Sequence, residues 1–538
     1  MEREWERAVA ETFDLVVVGG GINGTGAARD AARRGLRVCL VERHDFGYGT
    51  TGRSTRLIHG GLRYLREGDF GLVRESLRER ELLLHNAPHL VEAIPFLIPF
   101  YEGMKPRPWT LRMGLALYDL LSYDRSVGSH RKLTREETLA FEPSLNPEGL
   151  KGGAVYYDGQ VRFVERLCVE NALDAAAQGA VLLNHAQVMG LTRDVEGKVN
   201  GVTVRNLLTG ESADVKGRAI LDATGPWLGR LNPSDGEKVR MTKGVHLATP
   251  RITEHAVLLF APDGRVFFSI PWFGMSITGT TDTDYRDEVD TLHATRDDVK
   301  YLQEATRDYF PNAPIDEVAY TWAGVRALIN VKGVSPGAIS RKHLVLDHAK
   351  HGGPPGLVSI VGGKITPYRA VTEEAVNVIL RRLGEKRRRS VTRRTPLPGA
   401  QLPEGVTWDR YRERAVAALQ QEFQLPERTA RHLLELYGTR HTRIADLLRL
   451  DPGLARPVCE HALDVWAQVE LAAEEEMARS TADVLLRRTT VGYAPCQGLD
   501  AAPEVARYLG KRLGWTEEGI LKDLAAYQAE TDLRVQFR

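Results

Sequence analysis

Residues 13–42 read FDLVVVGGGINGTGAARDAARRGLRVCLVE and contain the most informative pattern of this chain. Phe13 to Val18 is a short apolar, β-branched run, which is the pattern of a strand buried on both faces. The alanine-rich run Ala27–Arg34 predicts a helix that ends at Gly35, and Arg37–Glu42 predicts a second strand that ends in an acid. The stretch therefore predicts a βαβ unit with a glycine-rich turn after its first strand.

The glycines of this turn have the spacing of a dinucleotide-binding site. Gly19 permits a tight turn, Gly21 leaves room for a pyrophosphate against the backbone, and Gly24 lets the helix approach the strand. The helix N-terminus then directs N–H groups and a positive dipole end at the phosphates. Glu42, 18 residues beyond Gly24, is placed to bind the two ribose hydroxyls. The turn predicts a dinucleotide but does not by itself separate FAD from NAD.

Two later segments have patterns that predict further contact with the same cofactor. Residues 219–225, AILDATG, form a short apolar run before a turn, as in many flavoproteins with two dinucleotide-type folds, and this analogy favours FAD. Leu357–Val361 predicts another buried strand, which turns through residues 362–366, GGKIT, into a helix beginning at Pro367. Such a turn offers backbone N–H groups and a helix dipole to a flavin ring. A plain strand–turn unit is the alternative for each segment.

Polar residues in two further segments are candidates for contact with flavin or substrate. The loop at residues 50–65, TTGRSTRLIHGGLRYL, combines small hydroxyl residues and glycines with basic side chains such as Arg56. Strand-like runs dominate Val155–Thr280 and predict a largely antiparallel sheet that covers a pocket. Within them, Lys243-Gly244-Val245-His246 places a base-capable histidine on a strand, where a structural role is the commoner one.

Two segments with basic residues are candidates for contact with a membrane surface. Residues 109–122, WTLRMGLALYDLLS, have apolar side chains at helical spacing, with Lys105, Arg107 and Arg112 nearby. Such a helix either packs on its own domain or lies in a membrane interface. Residues 381–394, RRLGEKRRRSVTRR, form either a solvated helix end or a contact for anionic lipid. Beyond the prolines that follow this run, the chain is helix-like to its end.

Composition excludes several classes of protein. The 538 residues are 43% hydrophobic and 27% charged, which argues against a disordered chain. Lys+Arg number 72 against 71 Asp+Glu, so a general nucleic-acid binder is not expected. The four cysteines lie far apart without a CxxC pair, and we expect no disulfide framework, no metal site and a reducing compartment. Met1–Glu11 lacks the apolar core of a signal peptide, and no apolar run has the length of a membrane-spanning helix.

Taken together, these motifs resemble those of the FAD-dependent, aerobic glycerol-3-phosphate dehydrogenases. The matching segments follow one another through nearly the whole chain. They are residues 14–35, LIHGGLRYL (57–65), DATGPW (222–227), KGVHL (243–247), GTTDTDY (279–285), WAGVRAL (322–328), ISR (339–341), GGKITPYR (362–369) and STADVLLRRT (480–489).

The resemblance implies a fold and its division. The implied fold is α/β, with a two-dinucleotide-binding-type FAD domain like those of glutathione reductase and D-amino-acid oxidase, an antiparallel-sheet substrate domain and an α-helical C-terminal domain. The expected ranges are 1–95, 166–225 and 341–395 for the FAD domain, 96–165 for a cap or membrane-interface segment, 226–340 for the substrate domain and 401–538 for the helical domain.

It also implies an activity and partners. The family oxidises sn-glycerol 3-phosphate to dihydroxyacetone phosphate, and electrons pass through FAD to a membrane quinone. We accordingly expect peripheral association with the cytoplasmic face of the membrane and no nucleic-acid partner. The sequence leaves a homodimer open.

Site residues follow from the match position by position. The expected catalytic residues are His246, as the base that takes the C2 hydroxyl proton, with Arg326 and Lys364 beside it. Cationic side chains suit a phosphate ester, and the expected substrate-binding residues are Arg63, Tyr64, Arg326, Arg341, Lys364 and Thr366. The expected FAD-binding residues are Gly19, Gly21, Asn23, Gly24, Glu42, Arg43, Thr51, Ser54, His59, Gly60, Gly61, Ala223, Gly225, Gly363, Lys364, Ile365 and Thr366.

Three other functions stay open at this point. An α-glycerophosphate oxidase uses the same site but gives its electrons to oxygen. An amino-acid oxidase of the same superfold would need a carboxylate clamp and leaves LIHGGLRYL unexplained. A protein that binds FAD and docks on a membrane or partner without turnover would leave Arg63, His246, Arg326 and Lys364 without a role.

Overall fold

Among the described residues, three β-sheets are packed by helices, and further helices make up the C-terminal part. The structure is a computed structural model and describes residues 1–66, 68–236, 238–330, 342–386 and 388–538.

The strands of the described ranges are given in chain order. They are β1 (Thr12–Phe13), β2 (Leu15–Val18), β3 (Val38–Val41), β4 (Leu57–Ile58), β5 (Val91–Tyr101), β6 (Arg131–Leu133), β7 (Leu150–Val161), β8 (Val181–Leu183), β9 (Ala186–Arg193), β10 (Val199–Asn206), β11 (Ser212–Gly217), β12 (Ile220–Asp222), β13 (Val239–Pro250), β14 (Ala256–Phe260), β15 (Val266–Trp272), β16 (Met275–Gly279), β17 (Thr283–Asp284), β18 (Tyr320–Ile329), β19 (His343–Asp347) and β20 (Leu357–Gly362).

The α-helices of the same ranges follow the same order. They are α1 (Trp5–Ala10), α2 (Ile22–Arg33), α3 (Arg63–Arg66), α4 (Phe70–Asn86), α5 (Pro108–Leu121), α6 (Arg135–Phe141), α7 (Val164–Ala177), α8 (Leu228–Leu231), α9 (Pro233–Gly236), α10 (Arg296–Arg307), α11 (Tyr368–Leu383), α12 (Trp408–Phe423), α13 (Glu427–Tyr437), α14 (His441–Leu450), α15 (Trp466–Glu475), α16 (Ala502–Leu513) and α17 (Glu517–Asp532).

A six-stranded sheet in the order β19-β20-β12-β2-β3-β8 contains the predicted βαβ unit. Strands β2 and β3 pair in parallel, and every residue of both is buried, as their apolar runs predict. The predicted strand 13–18 is interrupted at Asp14, whose carboxylate accepts a hydrogen bond from the backbone N–H of Arg37. Helix α2 begins at Ile22, earlier than predicted, because the glycine turn runs directly into its first turn.

The sequence interpretation of Val155–Thr280 as one antiparallel sheet is wrong in part. Residues 181–206 do not join that sheet: β8 is the parallel neighbour of β3, and β9 and β10 belong to a four-stranded sheet in the order β1-β11-β10-β9. Alternation along a strand fixes which face it buries but not which strand it pairs with, and so the pattern could not separate the two sheets.

The large sheet has the order β17-β13-β16-β15-β14-β5-β7-β4, with β18 paired to β13 and β6 to β7. Most of its pairings are antiparallel; β14 and β5 pair in parallel. Its strands β5, β6 and β7 lie largely within the range 96–165, outside the range 226–340 expected for the substrate domain, and the domain ranges stay a prediction.

The helix predicted at residues 109–122 is confirmed as α5, and the segment after residue 401 is helical. Within the described ranges, no helix combines the length and the apolar character needed to cross a membrane.

Candidate functional site

A cavity of about 390 Å³ lies where the carboxyl ends of β2, β3, β12 and β20 meet strands β13 and β18 of the large sheet. This edge of a parallel sheet is where open α/β folds bind their ligands. Most of the residues expected from the sequence line the cavity together. They are Gly19, Gly21, Asn23, Glu42, Arg43, Thr51, Ser54, His59, Tyr64, Ala223, Gly225, His246, Arg326, Gly363, Lys364, Ile365 and Thr366.

Five expected residues stand apart from this lining. Gly24, Gly60 and Gly61 lie behind it and shape the backbone that carries it. Arg341 lies outside the described residues, and so does the side chain of Arg63, whose backbone begins α3.

The glycine turn has the mechanical features that its spacing predicts. Gly19 has φ +105°, and a Cβ there would lie 2.7 Å from the carbonyl oxygen of Ala223. A Cβ on Gly24 would lie 1.8 Å from the carbonyl oxygen of Gly19, so only glycine allows α2 to approach the turn this closely. A Cβ on Gly21 would meet only Thr51 Oγ1, at 3.4 Å, and Gly21 therefore leaves open space on the cavity side.

Glu42 is held at the end of β3 with its carboxylate at the cavity. Its two oxygens accept hydrogen bonds from the backbone N–H groups of Gly20, at 2.5 Å, and His44, at 2.7 Å. Burial raises the pKa of Glu42, against these two hydrogen bonds, which lower it. A fixed acceptor at this place is suited to the hydroxyls of a ribose.

The opening turn of α2 has polar groups that fit a phosphate-bearing cofactor. Thr51 Oγ1 accepts a hydrogen bond from the backbone N–H of Ile22 at 3.1 Å, which ties the loop at residues 50–65 to the helix N-terminus. The buried Oδ1 of Asn23 has no hydrogen-bond partner among the described residues, although Asn23 lines the cavity. A buried acceptor of this kind is ordinarily satisfied, and a hydroxyl or N–H group of a bound cofactor would supply the donor.

The segments LIHGGLRYL and GGKITPYR, both prominent in the sequence, bind one another. The hydroxyl of Thr366 accepts from the backbone N–H of His59 at 3.0 Å and lies 3.2 Å from the His59 carbonyl oxygen. The ammonium of Lys364 lies 3.7 Å from the centre of the Tyr64 ring. A Cβ on Gly61 would lie 2.9 Å from the same ammonium, so the glycine gives Lys364 its place.

The register of β13 and β18 places a row of side chains on the cavity face. Thr242 lies opposite Arg326, Gly244 opposite Gly324, and His246 opposite Trp322. The intervening residues of both strands, such as Val245 and Val325, point the other way and pack in a hydrophobic cluster. The two glycines are closely approached by other groups: the Arg326 guanidinium lies over Gly244, and the backbone of Arg53 lies over Gly324.

His246 is buried, with its ring fixed from two sides. Its Nε2 is hydrogen-bonded to Thr55 Oγ1 at 2.8 Å, and its ring stacks on Trp322 at 5.2 Å between centroids. Burial is the main cause that lowers the pKa of His246 from 6.5 to about 3, and the positive charges of Arg326 and Arg56 add to it. The imidazole is therefore neutral near pH 7 and able to accept a proton.

Arg326 reaches across Gly244 into the cavity. Its guanidinium donates to Thr280 Oγ1 at 2.9 Å and lies 3.3 Å from Asp282 Oδ1. A Cβ on Gly244 would lie 2.3 Å from Arg326 Nη2, so the glycine of the KGVH segment makes room for the guanidinium. The side chain is 25% exposed, which leaves it accessible to an anionic ligand.

Sequence reasoning missed Thr55 and Trp322 as partners of His246, and it expected Arg56 to contact flavin or substrate. The structure pairs the buried Arg56 with both oxygens of Glu165, at 2.7 and 2.8 Å, and Tyr493 donates to the same carboxylate. Arg56 also lines the cavity, but its charge is already compensated. Trp322 meets His246 through the pairing of β13 with β18, two segments distant in the sequence, so no local pattern located it.

Comparison with known proteins gives matches over nearly the whole chain. A family profile described as "FAD dependent oxidoreductase" matches residues 14–369, and one described as "C-terminal domain of alpha-glycerophosphate oxidase" matches residues 390–520. A glycerol-3-phosphate dehydrogenase of Synechocystis is 37% identical, covering 96% of this chain and 95% of that protein. An aerobic glycerol-3-phosphate dehydrogenase of Staphylococcus saprophyticus is 32% identical, with 96% and 94% covered.

Among solved structures, the glycerol-3-phosphate dehydrogenase of Bacillus halodurans complexed with FAD is similar to this chain. It superposes with a TM-score of 0.79 at 27% identity, covering 99% of this chain and 98% of the other. An L-α-glycerophosphate oxidase of Mycoplasma pneumoniae with FAD bound shares the fold, with a TM-score of 0.55 at 21% identity and 72% and 99% covered.

Proposed function

The chain belongs to the family of FAD-dependent glycerol-3-phosphate dehydrogenases, and we propose that it oxidises sn-glycerol 3-phosphate to dihydroxyacetone phosphate and passes the electrons to a membrane quinone. The cofactor is FAD, and when bound it would supply the hydride acceptor for oxidation at C2 of the substrate. One observation carries the proposal: His246 and Arg326 share one face of two paired strands, in the same cavity as the dinucleotide turn.

The FAD-binding residues expected from the sequence would divide along the cavity. Gly21 and the N-terminus of α2 would receive the pyrophosphate, and Glu42 the ribose hydroxyls. The turn Gly363–Thr366 would lie against the flavin ring, where its backbone N–H groups favour negative charge. The open side of Gly21 supports this arrangement.

Arg326 and Lys364 would bind the phosphate of the substrate. A phosphate ester carries close to two negative charges, and arginine presents a fork of donors to it while lysine presents a point charge. Tyr64 supports the ammonium of Lys364 through its ring face. Glycerol lacks the phosphate and would lose all of these contacts.

His246 would take the proton of the C2 hydroxyl. The Thr55 hydroxyl and the Trp322 ring hold the imidazole in one orientation, which a base needs before its basicity matters. The phosphate of a bound substrate would offset the positive charges of Arg326 and Arg56 and so raise the pKa of His246 from its value in the empty cavity. The base would therefore become stronger when substrate is present.

Anaerobic reduction of the flavin by substrate tests the half-reaction. We expect glycerol 3-phosphate to bleach the oxidised-flavin absorption of the purified protein and glycerol at the same concentration to leave it unchanged. Bleaching by neither compound, in a protein that dithionite does bleach, would contradict the proposal. The dithionite control distinguishes a flavin that cannot be reduced from a flavin that glycerol 3-phosphate does not reduce.

The electron acceptor is tested in a separate experiment. With glycerol 3-phosphate present in air, a dehydrogenase reduces a soluble quinone analogue faster than it forms hydrogen peroxide. An α-glycerophosphate oxidase forms one peroxide for each dihydroxyacetone phosphate. Stoichiometric peroxide in the presence of quinone would contradict the quinone part of the proposal and leave the substrate part intact.

The outer face of α5 supports peripheral attachment to a membrane. Leu111, Leu115 and Tyr118 bury one side of this helix. The opposite side exposes Trp109, Met113 and Leu120 by 57%, 64% and 68%. At 3.6 residues per turn these three lie within about 40° of one another around the axis, so they form one apolar stripe. A helix with such a stripe and neighbouring basic residues is suited to the cytoplasmic membrane interface, where a quinone is reached.

A further inference from the structure

Two cysteines and a carboxylate meet in the C-terminal part of the chain, and none of these three described residues lines the cavity. The Sγ atoms of Cys459 and Cys496 are 3.4 Å apart, and Asp500 Oδ2 lies 3.2 Å from the Sγ of Cys459. The three ligand atoms all fall within 4.8 Å of one another. We propose that Cys459, Cys496 and Asp500 bind a divalent cation of the zinc class.

The separation of the sulfurs is closer to that of a metal site than to that of a disulfide. Two sulfurs at about 2.3 Å from a tetrahedral zinc lie about 3.8 Å apart, whereas a disulfide bond is about 2.0 Å long. The two sulfurs, 3.4 Å apart, would have to separate slightly to bind a metal and to approach each other by much more to form a disulfide. Thiolate and carboxylate are both ordinary zinc ligands.

Backbone N–H groups point at both sulfurs in the same way. The N–H of His461 donates to the Sγ of Cys459 at 3.3 Å, and the N–H of Gly498 donates to the Sγ of Cys496 at 3.4 Å. Each donor is two residues beyond its cysteine, and Gly498 reaches its position with φ +67°. Hydrogen bonds of this kind orient ligands and stabilise the negative charge of a metal-bound thiolate.

The cluster connects two separate segments of the helical part. Cys459 is buried in the hydrophobic cluster that contains Trp466 of α15 and Val505 of α16. Asp500 is exposed. The two thiolates thus face the core, and solvent can complete four-coordination from outside. The cation would hold the loop before α15 to the segment before α16.

The first test uses the full-length FAD-loaded protein, purified under reducing conditions and dialysed against dilute zinc. We expect one equivalent of zinc per chain by elemental analysis, and we expect zinc to protect Cys459 and Cys496 from a maleimide, with the modified sites identified by mass spectrometry. The proposal would be overturned if zinc dialysed away and both thiols reacted with maleimide equally fast with and without zinc. A Cys459–Cys496 disulfide that forms in air in the presence of zinc would also overturn it.

Variants locate the site. Cys459→Ser and Cys496→Ser should each lose the bound zinc, and Asp500→Asn should weaken its binding by about tenfold or more. Glu460→Gln is the matched control, since Glu460 is an exposed carboxylate beside Cys459 and outside the ligand set. Equal zinc content in Glu460→Gln and in the cysteine variants would overturn the assignment. Cobalt gives a second readout, because its tetrahedral thiolate complex absorbs at longer wavelength than oxidised flavin.

Discussion

His246 makes the stability of the protein depend on pH. Burial, Arg326 and Arg56 lower its folded-state pKa to about 3, while an unfolded histidine titrates near 6.5. Between these values the unfolded chain binds a proton that the folded chain does not. The neutral ring therefore contributes its full stability above pH 6.5, and that stability is lost as pH falls toward 3.

We expect this loss to be measurable in a comparison with His246→Gln. From pH 7.5 to pH 5.5 the wild-type protein should lose about 1.4 kcal/mol more unfolding free energy than the variant, which has no titrating group at this place. Denaturant unfolding of both FAD-loaded proteins at the two pH values measures the difference. An equal loss in both proteins would mean that His246 does not carry a depressed pKa.

Arg326 should control substrate affinity through its charge. Arg326→Ala removes one charge-assisted contact to the phosphate, which costs about 1.5–3 kcal/mol, and KM for glycerol 3-phosphate should rise roughly 10- to 150-fold. Arg326→Lys keeps the positive charge but lacks the two-pronged donor group, so its KM should lie between those of the wild type and Arg326→Ala. Steady-state kinetics with a quinone analogue measures both, and an unchanged KM in Arg326→Ala would place the phosphate elsewhere.

Gly244→Ala provides an independent check on this contact. Its Cβ would lie 2.3 Å from Arg326 Nη2 and 2.5 Å from Thr280 Oγ1, so the guanidinium has to move. The variant keeps every charge of the site, and a rise in KM would therefore report position alone. The corresponding control is Gly190→Ala in β9, where a Cβ meets no atom within 4 Å and the backbone is not left-handed.

At the scale of the element, α5 has two apolar faces and only one of them is covered. A triple variant with serine in place of Trp109, Met113 and Leu120 should no longer float with anionic vesicles. These three side chains supply the apolar surface that would enter the membrane interface. Activity with a soluble quinone analogue should be retained.

The control for α5 removes the same number of exposed apolar side chains elsewhere. Val195, Leu450 and Leu521 are exposed by 104%, 84% and 65% and lie on other elements, so their triple replacement with Ser should leave flotation intact. Equal flotation of both triple variants would show that α5 does not mediate attachment.

Elements also mark how far the sequence predicts the structure. The unit β2-α2-β3 and the turn Gly363–Thr366 follow from local patterns, since apolar period, glycine spacing and helix start all lie within a few residues of one another. The placement of β8 beside β3 cannot be predicted from local patterns, because it depends on the pairing of segments that are distant in the sequence. The same holds within the site, where Trp322 meets His246 only through the β13–β18 register.

At the scale of the whole molecule, buried ion pairs join the helical C-terminal part to the rest. Arg488 binds both oxygens of Asp45, at 2.6 and 2.9 Å, and Arg166 binds both oxygens of Glu476. The charged groups of both pairs are fully buried. Burial opposes the ionised form of Glu476, but Arg166 and Arg440 outweigh it and hold its pKa at about 2.

Asp45→Asn should destabilise the whole molecule, because it removes the carboxylate that binds both Nη atoms of the buried Arg488 guanidinium. The loss of one partner of a buried pair costs about 3–5 kcal/mol. Asp45 follows Glu42 and His44 closely in the chain, so the variant should also release FAD at a lower temperature than the wild type, which flavin fluorescence during heating measures. Glu422→Gln breaks an exposed pair with Arg449, which solvent screens, and should destabilise the protein much less. If Asp45→Asn unfolds and releases FAD no earlier than Glu422→Gln, the buried pair does not hold the helical part against the cofactor domain.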